Sequence, residues 1–276
     1  MRDYEVFPPL AVARASGPFL YASDGRRIID AISSWWCKSL GHGHPRIRRA
    51  VQRQIKRFEH VIAANTTSET IEELSERLSR LMPGLGKVFY GGDGSTAVEI
   101  ACKMSLQFHR QTGSPARNKF ISLENGYHGE TVFTLSLGDC GLYSAPFKSL
   151  ARSCRKIINL PYVSGKDDPG WSKMDGNSWE NIKIRLDAES EKLAAIVFEP
   201  VLQGAGGMLI YSPDLLRKLR GWAEKNKVHL IADEIMTGFG RTGRMLACEH
   251  AGIRPDFICL SKGMTAGWAP MSAVLT

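Results

Sequence analysis

No CxxC pair and no apolar run of membrane-spanning length occurs in these 276 residues, and the glycine-rich turn at 91–96 is neither a GxGxxG nor a Walker loop. Each absence excludes something. The six cysteines, Cys37, Cys102, Cys140, Cys154, Cys248 and Cys259, do not outline a zinc or disulfide framework, so reduced intracellular thiols are expected. No stretch approaches the ~18 apolar residues that a membrane span needs. The start of the chain, MRDYEVFPPLAVARA, has an early acid and no sustained apolar core. It does not read as a signal peptide, and a soluble cytoplasmic protein is the expectation. With no GK[ST] after it, the 91–96 turn does not read as a dinucleotide or Walker site.

What is present suits an ordinary globular protein of one or two domains, with 43% hydrophobic and 23% charged residues. A net charge of +8 raises the question of an anionic partner. The basic residues are scattered, however. Their densest group, Arg46, Arg48, Arg49, Arg53, Lys56 and Arg57, lies on one predicted helix without interleaved aromatics. That reads as a solvated helix face, so a nucleic-acid partner rests on net charge alone.

The first thirty residues read as irregular, except for a hairpin of Phe19-Leu20-Tyr21 and Ile28-Ile29 about the turn Ser23-Asp24-Gly25. Trp35-Trp36 follow in AISSWWCKSLGHGHP. On an extended chain adjacent side chains face opposite ways, so at most one indole would reach a pocket; core packing is the competing reading. His42 and His44 lie in a glycine-rich turn with no third ligand near, which favours turn roles over a metal. Helical spacing predicts helices over 46–59 and from Thr67 or Ser68 to Leu81. From residue 87 onward strands and helices alternate. Predicted strands cover 87–90, 119–123, 194–198, 230–232, 257–260 and 272–275. A helix opens at Pro213, a favoured first position, and another is expected near 180–192. Residues 138–180 read as a long surface excursion. Short continuous apolar strands between helices argue for an α/β fold with a mostly parallel sheet, helices covering both faces.

The chemistry falls at the ends of those strands. The glycine-rich turn Gly91-Gly92-Asp93-Gly94-Ser95-Thr96 runs into a helix and forms a candidate phosphate cradle, though a plain Ser/Thr N-cap explains it too. Tyr127 and His128 follow the second strand, and either could lie on a planar ring. Glu199 closes the third. Leu230-Ile231-Ala232 ends in Asp233-Glu234, and Phe257-Ile258-Cys259-Leu260 ends in Ser261-Lys262. Alone, Asp233 and Lys262 could be a surface ion pair. Together, a carboxylate and an amine at one sheet edge suit a pyridoxal phosphate site. The lysine would form a Schiff base and the carboxylate would keep the pyridine nitrogen protonated. Ligands of open α/β sheets bind beyond the strands' carboxyl ends, where all five groups are placed.

From about Pro9 to the last residue the chain resembles the class III, fold type I pyridoxal-phosphate aminotransferases. GDGSTAVEIACKM, IADEIMTGFGRTG and ICLSKGMTAG carry the likeness to the class. ISSWW, NGYHG and QGAGGM point within it to the members of biotin synthesis. These move an amino group from S-adenosylmethionine to 8-amino-7-oxononanoate. Ornithine, lysine and ω-amino acid donors are the alternatives, and so is an inactive remnant of the fold. The resemblance implies that Lys262 carries the Schiff base and shuttles the proton. It implies that Asp233 pairs with the ring nitrogen, that Gly94 and Ser95 bind the phosphate, and that Tyr127 stacks on the ring with His128 beside it. Trp35, Tyr127, Arg241 and Lys262 would meet substrate, and Glu199 and Gln203 would support the site. It also implies a homodimer, with residues 1–50 serving the active site and a small domain, and 51–276 forming the large cofactor-binding domain. Two departures stand out. Glu130 replaces the usual Asp after NGYHG. The family's C-terminal small domain, with a substrate-binding Arg and a Thr reaching the neighbouring subunit's phosphate, has no counterpart in 1–276, so a truncated form is expected.

Overall fold

The computed structural model describes residues 3–147, 149–152 and 154–276. Thirteen strands are formed among them: β1 (Val12–Ser16), β2 (Phe19–Ala22), β3 (Arg27–Ile29), β4 (Val88–Gly91), β5 (Lys119–Leu123), β6 (Arg155–Ile157), β7 (Tyr162–Val163), β8 (Leu193–Phe198), β9 (Leu202–Gln203), β10 (Leu209–Tyr211), β11 (His229–Asp233), β12 (Phe257–Leu260) and β13 (Ser272–Leu275). Seven of them make the central sheet, in the order β4-β13-β12-β11-β8-β5-β6. The pairs β12–β11, β11–β8, β8–β5 and β5–β6 are parallel. β13 is antiparallel to both β12 and β4. One strand therefore runs against the rest, and β4 ends at the same edge as β12, β11, β8 and β5. The expected mostly parallel sheet is observed.

The apolar runs have their physical reason in the two cores. All six residues of β8 are buried. Alternate strand residues pack to opposite faces, as the pleat requires. Ile196, Phe198, Leu230, Ile258 and Leu260 join one core with Leu215 and Leu219 of the helix Pro213–Asn226. Ala195, Val197, Ile231, Phe257 and Cys259 join the other, against Ala97, Val98, Ala101 and Cys102 of the helix Gly94–Gln111. Small residues on that helix let it lie close across the strands.

Several expectations need correction. Val12–Ser16, read as irregular, is strand β1 and joins the expected hairpin in a three-stranded antiparallel sheet. Its residues are mostly exposed, so no hydrophobic alternation marks it. The surface excursion 138–180 contributes β6 to the central sheet and buries Ile157 and Met174. β6 is only three residues long and carries charges, which hides it from a pattern search. The helix expected near 180–192 spans Gly176–Asp187, started by Asp175, whose side chain accepts the Ser178 N–H. The helix expected over 46–59 spans Pro45–Ile55 and buries none of its residues.

Candidate active site

Ser95, Tyr127, Glu199, Asp233 and Lys262 all reach one cavity of about 370 Å³ at the carboxyl edge of the sheet, which Gly94, His128, Trp35 and Trp36 also line. The helix Gly94–Gln111 opens at the cavity with Asp93 as its N-cap. The Asp93 carboxylate accepts from the Thr96 N–H at 2.9 Å and the Thr96 hydroxyl at 2.9 Å. The cap is thus Asp93 rather than Ser95 or Thr96, and Ser95 is left facing the cavity. Gly129, at φ +120°, packs onto Ser95 so closely that a Cβ there would lie 2.1 Å from the Ser95 hydroxyl oxygen.

Asp233 and His128 form a buried pair, with His128 Nδ1 2.8 Å from Asp233 Oδ2 and side chains 0% and 4% exposed. His128 is therefore committed to the carboxylate rather than free to lie across a ring. Tyr127 stands at the cavity wall, and its hydroxyl donates to Glu130 Oε1 at 3.0 Å. Burial, with Glu130 adding to it, pushes the Tyr127 phenol well above its ordinary range. The departure at Glu130 is thereby a direct partner of Tyr127.

Glu199 accepts the backbone N–H groups of Tyr127 at 2.9 Å and Gly204 at 3.0 Å. Complete burial raises its pKa to about 7, with Asp233 adding to the rise and His128 opposing it. Gln203 is also buried, but it accepts the Tyr162 hydroxyl at 3.0 Å and donates to the Glu124 carbonyl at 2.6 Å. It braces neighbouring loops and does not line the cavity. Glu234, beside Asp233, turns away. It accepts from Thr237, Ala247 and Cys248 and fixes the loop after β11.

Lys262 follows β12 with φ of 32°. Burial lowers its pKa, while Asp233 and Glu199 pull the other way. Its Nζ lies 4.7 Å from the centre of the Trp36 ring. A half-desolvated amine held against an indole face is a nucleophile kept short of water.

Trp35 and Trp36 break the expectation that only one indole faces a pocket. Residues 33–36 are not extended; all four have positive φ. That turn places both rings on the cavity. Arg241 lies outside this cavity. It lines an adjoining one with Trp36, Lys38 and Phe239, and donates to the Trp36 carbonyl at 3.2 Å. Ile235 and Met236 complete the wall. Sequence reading passed over them, although they directly follow Asp233-Glu234. Among the described residues no group of three or more His, Cys, Asp or Glu could hold a metal.

The family model described as "Aminotransferase class-III" matches residues 2–276; the chain belongs to that family. Two curated relatives share one name, adenosylmethionine-8-amino-7-oxononanoate aminotransferase. The one from Synechococcus elongatus is 41% identical over 268 residues, 96% of this chain and 61% of its own. The one from Helicobacter pylori is 40% identical over 277 residues, 100% of this chain and 61% of its own. A crystal structure of the Methanocaldococcus jannaschii protein of that name superposes with a TM-score of 0.88 at 31% identity, covering 100% of this chain and 61% of that one. A PLP-bound amine transaminase from an uncultivated Pseudomonas species gives 0.89 at 30% identity, covering 98% and 62%. The chain thus spans about 61% of the length of the curated relatives it matches.

Proposed function

We propose that the chain binds pyridoxal 5'-phosphate and belongs to a transaminase of biotin synthesis. That enzyme transfers an amino group from S-adenosylmethionine to 8-amino-7-oxononanoate and yields 7,8-diaminononanoate. One observation carries the reading: Lys262, Asp233 and the open helix end at Gly94 and Ser95 share a single cavity. The residues fit the cofactor. Asp93 takes the Thr96 N–H and its carbonyl takes that of Ala97. The amides of Gly94 and Ser95, with the Ser95 hydroxyl, are then the donors for a phosphate, and the helix dipole adds to them. The cavity volume falls within the ~300–1,000 Å³ usual for small-molecule sites.

When bound, the cofactor supplies an electron sink for the carbon that loses its proton. The chain supplies the rest. Asp233, held by His128, faces the cavity as the carboxylate for the ring nitrogen. Tyr127 covers one side, positioned through its backbone by Glu199 and through its hydroxyl by Glu130. Lys262 holds or gives up its proton at Nζ, and burial favours the neutral amine that such a role needs. Trp35 and Trp36 exclude water, and Arg241 holds the Trp36 carbonyl from outside.

Residues 51–276 act in this proposal as the large cofactor-binding domain, with 1–50 contributing the tryptophan wall. We place the protein in the cytoplasm as a homodimer. Six free thiols and the absence of any membrane-crossing helix among the described residues agree with the first. Exposed Val51, Ile55 and Ile62 agree with the second.

The test is incubation with pyridoxal phosphate, borohydride reduction and mapping by mass spectrometry. A stable adduct on Lys262, lost in Lys262→Ala, is expected. An unlabelled Lys262 would sink the cofactor reading. S-adenosylmethionine should then serve as amino donor; activity with lysine alone would move the protein to another branch of the family.

A further inference from the structure

We propose that Asp30 and His42 are positioning residues for the tryptophan pair that covers Lys262. The proposal deepens the reading of the same site and rests on it. The starting observation is a left-handed turn: Ser33, Ser34, Trp35 and Trp36 have φ of 51°, 46°, 68° and 67°. Each such step is unfavourable for an L-residue, and several in succession persist only where the surroundings over-determine them.

Those surroundings are built from Asp30. Its Oδ1 accepts the Ser34 N–H at 2.9 Å. Its Oδ2 accepts the Ser34 hydroxyl at 2.7 Å and lies 2.8 Å from His42 Nε2. The His42 and Asp30 side chains are only 13% and 5% exposed. Both residues are also tied by backbone to the turn joining β1 and β2. The Asp30 N–H donates to the Pro18 carbonyl at 2.8 Å, and His42 exchanges two bonds with Gly17 at 2.8 and 3.0 Å. From the opposite side, Arg241 donates to the Trp36 carbonyl at 3.2 Å, and Lys38 Nζ to the Gly267 carbonyl at 2.9 Å. The turn is therefore clamped between the N-terminal sheet and the loops that follow β11 and β12.

The clamp has a consequence at the reacting amine. In an extended segment the two indoles would face opposite ways. In the left-handed turn both line the cavity, and Trp36 lies against Lys262 Nζ. Asp30 and His42 do not line that cavity. They act through Ser34 and the turn, and they set how far water reaches Lys262.

The full chain is compared with Asp30→Ala, His42→Phe and the conservative His42→Gln, first without cofactor. Acetic anhydride labelling of Lys262 is referenced to the exposed Lys225, and amide exchange is followed over residues 33–38. Asp30→Ala and His42→Phe should raise Lys262 labelling about tenfold, the effect of losing about one hydrogen bond's worth of restraint. Exchange over 33–38 should rise with it. His42→Gln keeps a donor for Asp30 and should stay near the parent. Equal Lys262 labelling in Asp30→Ala and the parent would overturn the proposal. So would a His42→Gln variant as labelled as His42→Phe. Should Asp30→Ala fail to fold, Trp36→Ala must raise Lys262 labelling by itself, and no rise overturns it. The borohydride adduct of the parent chain is a separate readout. Its failure removes the cofactor reading and leaves the labelling result standing.

Discussion

The central sheet delivers Glu199, Asp233 and Lys262 at the ends of strands whose residues are almost entirely buried. The N-terminal region delivers Trp35 and Trp36 on a left-handed turn in which Trp35 stays 54% exposed. The two regions meet at one cavity, yet their positions are secured differently. A strand end needs no local device, because two cores and a hydrogen-bonded strand on each side fix it. The turn has no core beneath it and depends on a few side-chain bonds. Rigid chemistry thus sits on the sheet, and the wall that meets solvent sits on an adjustable clamp.

The sharpest way to break this contrast is to remove core volume from the sheet. Phe198 is fully buried in β8. Phe198→Ala should cost about 3–5 kcal/mol in urea unfolding. A cost nearer 1 kcal/mol would mean that the sheet is not the rigid half.

Glu199 gives the next effect. In the folded chain its pKa is pushed up to about 7, above the ordinary glutamate value of 4.5. The native state therefore holds this proton more tightly than the unfolded chain does. Its contribution is complete below the unfolded pKa and is lost as pH rises through 4.5 to about 7. The loss amounts to about 3 kcal/mol for a buried group of this kind. Glu199→Gln should flatten that part of the pH–stability curve in the cofactor-free protein. An equally steep fall in the variant would show that another group titrates there.

How much of this was legible in the sequence follows the same division. The strands of the sheet were legible because burial on both faces leaves continuous apolar runs such as LAAIVF. Asp233 and Lys262 were legible because each ends such a run. The turn at 33–36 was not, since no local pattern signals four consecutive positive φ values at Ser, Ser, Trp and Trp; the clamp holding them lies at Asp30 and His42. His42 was read as a turn residue, but its partner Asp30 went unnoticed because the contact is tertiary. β1 and β6 were missed for a related reason. An exposed strand and a three-residue edge strand carry almost no hydrophobic signal. Arg241 was placed with the substrate wall on resemblance alone, and the fold puts it one cavity away, behind Trp36.

The smallest effect on stability is expected where the N-terminal region is most exposed. The helix Pro45–Ile55 buries nothing, and Ile55 is 71% exposed. In a single chain, Ile55→Asp should change unfolding free energy by no more than about 0.5 kcal/mol, as for surface sites generally. The same change should matter to a dimer. Ile47, Val51 and Ile55 recur at helical spacing, and a charge placed within that stripe opposes its burial against a second chain. Ile55→Asp should therefore shift a dimer toward monomer in sedimentation at micromolar concentration, while the urea midpoint measured in dilute solution stays in place. A large loss of stability in the monomer would show that the helix is held as firmly as the sheet. The distinction between a core-fixed half and a clamped half would then fail.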